Sequence, residues 1–232
     1  MVVYFGLSRA ITSQNSRSLP AIIAEVKCYS PLLGDLKGDR RIEDIVSTYE
    51  ACGAAGISYI TADLFRGSLG VLRSICDMTT LPVLRKDFIA TEEGIEETAA
   101  AGASAVLLIA RTLGSRTAEL IDVACSHGLD TLVEVHLPDD IPHATSSNTT
   151  MIGINNRDIT AFERDGGTVS VTESMARLID TKALLVSESG IESADDLARA
   201  LAHTNAALIG TSLMRAPSIE QKFEEFMGVG IC

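Results

Sequence analysis

The chain has 232 residues, 46% hydrophobic and 22% charged, a make-up that excludes a disordered protein and suits a globular one. Its net charge of −12, from 19 basic and 31 acidic side chains, disfavours nonspecific binding to nucleic acid, which depends on positive charge. The richest apolar stretch, Ala99 to Ala110, is interrupted by Gly102 and Ser104 and is too short to cross a bilayer.

Residues 1–20 form a short extension without the basic-then-apolar layout of a signal peptide, so a cytoplasmic location is expected. Cys28, Cys52, Cys76, Cys125 and Cys232 are scattered, odd in number and without a CxxC pair. That pattern suits a reducing compartment and predicts neither a disulfide framework nor a metal site. Cys28 follows Lys27 with no histidine near in sequence, and is expected to be a plain buried thiol.

From residue 21 onward, short apolar runs alternate with amphipathic stretches. Strands are predicted near 21–27, 57–62, 81–86, 105–110, 130–135, 151–156, 183–188 and 206–210. Each is a continuous run of Val, Ile, Leu or Ala, as strands buried on both faces should be. Helices are predicted near 41–53, 68–77, 91–101, 115–127, 137–145, 171–180, 193–202 and 217–227. Thr91 and Ser193 stand ahead of acidic first turns as capping hydroxyls. Pro217 is expected in the first turn of the last helix, and Pro138 with Pro142 weakens the fifth. Gly53 and Gly102 precede the second and fourth strands as left-handed helix caps. Nothing along the chain marks a linker, so one domain is expected. Eight strand–helix units predict a single-domain (β/α)8 barrel of the α/β class, although an open doubly wound sheet shows the same alternation.

Charges at the strand ends favour the barrel, because its active site gathers residues from the C-terminal ends of many strands. Glu25 and Lys27 are two apart on the first strand and so share one face. Lys86 ends the third strand, Glu134 the fifth, Asn155 with Arg157 the sixth, and Glu188 the seventh. Each has an ordinary alternative: a rim ion pair for Glu25 and Lys27, a solvated strand end for Lys86, a lysine partner for Glu134. Asn155 and Arg157 could equally mark a turn, and Glu188 a helix cap. Together they predict a mouth in which ammonium and carboxylate groups shift one another's pKa values and supply acid and base. Lys27, Lys86 and Arg157 would make a local positive cavity for a small anion despite the acidic total. Burial and Lys27 across the mouth are expected to lower the Lys86 pKa. After the seventh and eighth strands, Ser189-Gly190 and Gly210-Thr211 offer unobstructed backbone N–H groups where such barrels often hold phosphate.

Six segments then resemble one family in order and spacing. They are Ile23-Ala24-Glu25-Val26-Lys27-Cys28-Tyr29-Ser30-Pro31, Leu84-Arg85-Lys86-Asp87-Phe88, Val133-Glu134-Val135, Ile152-Gly153-Ile154-Asn155-Asn156-Arg157-Asp158, Ser187-Glu188-Ser189-Gly190-Ile191 and Ile209-Gly210-Thr211-Ser212-Leu213-Met214. The likeness, over roughly residues 20 to 217, is to indole-3-glycerol phosphate synthase. It implies ring closure of 1-(o-carboxyphenylamino)-1-deoxyribulose 5-phosphate to an indole in tryptophan biosynthesis, with loss of carbon dioxide and water and no cofactor. By the same resemblance, Lys86 is the general acid at the ribulose carbonyl. Lys27 holds the anthranilate carboxylate, and Glu134 acts in the dehydration. Glu25, Asn155 and Glu188 position the lysines and bind sugar hydroxyls. Ser189, Gly190, Gly210 and Thr211, with Ser30 nearby, receive the phosphate, and Phe65 and Phe88 wall the aromatic ring. The family also leads one to expect a helix over the barrel mouth from the segment before the first strand, reduced here because that segment is short. A phosphosugar isomerase barrel and a catalytically silent phosphosugar-binding barrel are the alternatives. A monomer, possibly associated with other enzymes of the pathway, completes the expectation.

Overall fold

The computed structural model describes residues 6–157 and 167–230. Asp158 and Cys232, both noted in the sequence, lie outside the described residues. Eight parallel strands close into a barrel: β1 Ile22–Val26, β2 Gly56–Ile60, β3 Val83–Lys86, β4 Ala105–Ile109, β5 Asp130–Val135, β6 Met151–Asn155, β7 Leu184–Glu188 and β8 Ala206–Ile209. All eight coincide with the predicted runs, and the closure rules out the open sheet.

The strands look uniformly apolar because both faces are covered, yet their side chains alternate in what they meet. On β1, Ile22, Ala24 and Val26 pack outward with the helix Ile42–Ala51 and its neighbours, while Ile23 points into the barrel. On β5, Val133 and Val135 face the helices and Leu132 the interior. That inward column of Ile23, Leu84, Leu107, Leu132, Met151, Val186 and Leu208 fills the lower barrel. Continuing the alternation one step toward the C-terminal end puts Glu25, Lys86, Glu134 and Glu188 on the interior face.

The surrounding helices begin where hydroxyls can cap them. Ser68, Thr91 and Ser218 accept from Val71, Gly94 and Gln221 backbone N–H groups, and Ser193 forms a full capping box with Asp196. Gly53 and Gly102 adopt φ of 85° and 84°, the left-handed exits expected of them. Two expectations need correction. Pro217 stands outside the last helix, Ile219–Met227, because Ser218 takes the cap position. The fifth predicted helix is only a 3-10 turn, Pro138–Asp140, followed by Ile141–Ala144, since two prolines remove the N–H groups a longer helix needs.

The segment before β1 folds as a helix, Gly6–Ser16, at the end opposite to the one expected. Leu7 and Ile11 join the interior column from below. The Ser8 backbone N–H and hydroxyl donate to Asp130 at the start of β5, at 2.8 and 2.7 Å. Gln14 Nε2 donates to the Gly53 carbonyl and Asn15 Nδ2 to that of Asn205, both in loops entering strands. The helix therefore stoppers the base and not the mouth. A small hairpin, Tyr29–Ser30 with Gly34–Asp35, follows β1 at the mouth.

Candidate active site

The mouth opens into a concave cavity at the C-terminal ends of the strands, the usual form of a small-molecule site. Glu25, Lys27, Lys86, Glu134, Asn155 and Arg157 line it with Phe65, Phe88, Ser189, Gly190, Gly210 and Thr211. Two predicted residues stand apart. Glu188 is fully buried behind Lys86. Ser30 does not line the cavity; it is buried, and its hydroxyl accepts from the Leu32 and Leu33 backbone N–H groups at 3.3 and 3.2 Å. Ser30 therefore shapes the turn of the hairpin.

Lys86 occupies the centre. Its Nζ lies 3.7 Å from Glu25 Oε2 and 3.5 Å from Glu188 Oε2, with Glu134 close enough to act on its charge. Burial alone would lower the lysine's pKa, but Glu25, Glu188 and Glu134 together raise it above its ordinary 10.5. This reverses the expected lowering by Lys27: three carboxylates reach Lys86 from β1, β5 and β7, and their attraction outweighs both burial and any repulsion across the mouth. The carboxylates are affected in turn. Burial drives the Glu134 pKa up against the opposing pull of Lys86, an Asn155 hydrogen bond and His136. Burial likewise raises Glu188, helped by the charges of Glu134 and Glu25 and opposed by Lys86.

The floor is shaped by glycine. A Cβ on Gly153 would collide with Glu188 Oε1, and one on Gly210 with Glu25 Oε1. Both carboxylates occupy space that any other residue on the neighbouring strand would fill. Gly153 lies within one of the sequence motifs without an obvious role of its own. Its signal is a glycine in the middle of an otherwise unbroken apolar strand.

Lys27 Nζ sits 5.2 Å over the Phe65 ring, a cation–π separation. Phe88 is 55% exposed at the rim, leaving its ring free to meet a ligand. Arg157 is anchored through its backbone N–H, which donates to Asn155 Oδ1 at 3.0 Å. Asp87 was missed as a cavity residue. Its carboxylate meets Arg85 at 3.3 Å and accepts from the Thr61 hydroxyl at 2.5 Å. Arg85 faces outward on β3, where its guanidinium also reaches the Gly94 carbonyl and the Thr98 hydroxyl, both at 3.1 Å. The clue was an arginine inside an apolar run, on the face opposite Lys86.

A chain with this mouth can be compared with known proteins. The family model described as indole-3-glycerol phosphate synthase matches residues 5–226. The chain belongs to the indole-3-glycerol phosphate synthase family. A protein of that name from Thermococcus kodakarensis is 53% identical over 98% of this chain and 99% of its own. One from Pyrococcus furiosus is 53% identical over 97% and 98%. The "Tryptophan biosynthesis protein TrpCD" of Archaeoglobus fulgidus is 47% identical over 97% of this chain but 40% of its own. Among solved structures, a tryptophan synthase alpha subunit from Legionella pneumophila shares the fold, with a TM-score of 0.68 and 10% identity, covering 98% of each chain. The chain is thus a carboxy-lyase of tryptophan biosynthesis, and neither the isomerase nor the silent-barrel alternative is favoured.

Proposed function

We propose that the mouth closes the indole ring with the Lys86 ammonium as proton donor. The observation that supports this most is the three-carboxylate cage, which keeps Lys86 charged at neutral pH. The ring carbon bearing the carboxylate attacks the ribulose carbonyl carbon, and the carbonyl oxygen takes a proton as the new bond forms. Loss of carbon dioxide returns an electron pair to the ring. The hydroxyl then leaves as water, and a proton is lost from the neighbouring carbon. An aromatic carbon is a weak nucleophile, so protonating the oxygen and holding the carbons together lower the barrier most.

Lys27 pairs with the anthranilate carboxylate until it departs. Glu134, a stronger base than an ordinary carboxylate because burial raises its pKa, takes the proton lost from the neighbouring carbon, and Lys27, released by the departed carboxylate, supplies the proton that leaves with the hydroxyl. Glu25 and Asn155 contact sugar hydroxyls, while Glu188 steadies Lys86 from below. Phe65 and Phe88 bracket the aromatic ring. Ser189, Gly190, Gly210 and Thr211 cradle the phosphate, with Arg157 as a nearby cation. The chain acts as one catalytic domain whose helix Gly6–Ser16 closes its base. A cytoplasmic location is the reading that the scattered thiols support, and the chain is read as a monomer. The longer Archaeoglobus fulgidus protein supports association with other enzymes of the pathway.

Indole fluorescence after mixing purified protein with the carboxyphenylamino-deoxyribulose phosphate tests the assignment. The folded Lys86→Met variant should bind this substrate and form almost no indole. Turnover by that variant near the unmodified rate would refute Lys86 as the donor.

A further inference from the structure

Asn156 sits between two cavity residues, Asn155 and Arg157, but is itself buried outside the cavity. Its side chain enters a polar network between β6, β7 and the helix Ser170–Met175. Nδ2 donates to the Ser189 carbonyl at 2.9 Å and to the Ser187 hydroxyl at 3.1 Å. Oδ1 accepts from the Thr172 backbone N–H at 3.0 Å and its hydroxyl at 2.9 Å. Those four bonds use the amide's full capacity of two donors and two lone pairs. They also fix which way the amide points, because the Ser189 carbonyl only accepts and the Thr172 N–H only donates. The Thr172 and Ser187 hydroxyls close the ring at 2.8 Å.

What this network holds is an unusual piece of backbone. Ser189 has φ of 67° and Gly190 φ of 68°. Glycine adopts that left-handed region freely, but serine does so at a cost. Both residues line the cavity, and a Cβ on Gly190 would stand 3.0 Å from the Gly167 carbonyl oxygen and 3.4 Å from Asn156 Cβ. The turn is therefore clamped from behind by Asn156 and from above by Gly167. The bond to the Ser189 carbonyl is the clamp that a single side chain supplies.

We propose that Asn156 is a positioning residue for the anion cradle: by holding the Ser189 carbonyl it fixes the left-handed Ser189-Gly190 turn that meets the substrate's phosphate. This rests on the reading that the turn receives the phosphate. Asn156 acts at one end of the substrate, away from Lys86, so its loss should weaken binding and leave the chemical step alone.

Steady-state kinetics with inorganic phosphate as inhibitor tests this. In Asn156→Asp the donor is replaced by an oxygen facing the Ser189 carbonyl. KM and the phosphate inhibition constant should both rise about tenfold, the scale of one lost hydrogen bond, with kcat within about twofold. Ser187→Ala and Thr172→Val each remove one bond to the Asn156 amide but keep the Asn156–Ser189 bond, and should move both constants by less than about threefold. Asn156→Ala, which removes the donor without placing an oxygen against the Ser189 carbonyl, should move both constants in the Asn156→Asp direction and serves if Asn156→Asp does not fold. Unchanged constants in a folded Asn156→Asp, or in Asn156→Ala where Asn156→Asp does not fold, or a kcat loss matching the KM change, would overturn the inference while leaving the cradle standing. Failure of phosphate to compete with substrate in the unmodified protein would overturn the cradle reading and the inference with it.

Discussion

At the base of the barrel, Asp130 is fully buried and its carboxylate accepts two short hydrogen bonds from Ser8. At the mouth, Glu188 is equally buried, yet neither of its oxygens makes a full hydrogen bond among the described residues. Its cation, Lys86, stands off at 3.5 Å, longer than a good charge-assisted contact. One carboxylate is finished by folding, while the other is left under-satisfied beside an open cavity. The base contributes stability and the mouth contributes chemistry, as expected for the two ends of such a barrel. Substitutions at the two ends should therefore fail in different ways.

The largest effect is expected at Lys86. Replacing it by methionine should cut kcat by about 10²–10⁴-fold, the range for a positioned proton donor, as read by indole fluorescence. The same variant has a signature in stability. Glu134 and Glu188 already have folded pKa values above the ordinary 4.5, so the folded state binds their protons more tightly than the unfolded one. Their destabilising contribution is absent below 4.5 and grows as pH rises through the folded values. Without Lys86 that rise should be steeper. The Tm deficit of Lys86→Met relative to the unmodified protein should thus be larger at pH 8 than at pH 5. A deficit independent of pH would contradict the carboxylate cage.

Gly153→Ala comes next. The new methyl would displace the Glu188 carboxylate and with it Lys86, costing on the order of 10² in kcat, the usual consequence of a misplacement of about 1 Å. Circular dichroism should show the barrel intact; normal turnover would mean that Glu188 does not hold Lys86 in place.

Changes at the base should lower stability and spare the reaction. Leu7→Ala, which empties a fully buried position, is expected to cost about 2–5 kcal/mol in denaturant unfolding, with kcat unchanged below the new Tm. Ser8→Ala is the mildest, about 1 kcal/mol for the lost hydroxyl bond to Asp130, again without a kinetic effect. A kcat defect in either would couple the two ends.

The barrel was legible because strands covered on both faces must be apolar throughout, and eight such runs separated by capped helices leave few architectures. The charged strand ends were legible for the same reason: a lysine or glutamate closing an apolar run needs a purpose or a partner. What could not be read was distance across the barrel. Glu25, Glu134 and Glu188 are remote from Lys86 in sequence, so the direction of its pKa shift depended on strand order and register and was misjudged. Ser30 belonged to a promising motif, but a two-residue strand pairing turned its hydroxyl into a local cap. The N-terminal helix buries only Leu7, Ser8 and Ile11, too few apolar positions to announce a face. Its docking depends on partners more than 100 residues away, such as Asp130.

The central claim is that Lys86 rests as a charged ammonium held by carboxylates from three strands, ready to give its proton to the substrate. NMR titration of lysine side-chain carbons, with the Lys86 signal assigned by its absence in Lys86→Met, measures this directly. The account predicts that the Lys86 signal stays in its charged position through pH 10.5, the ordinary lysine value, while exposed lysines titrate there. Deprotonation of Lys86 below that pH would contradict it.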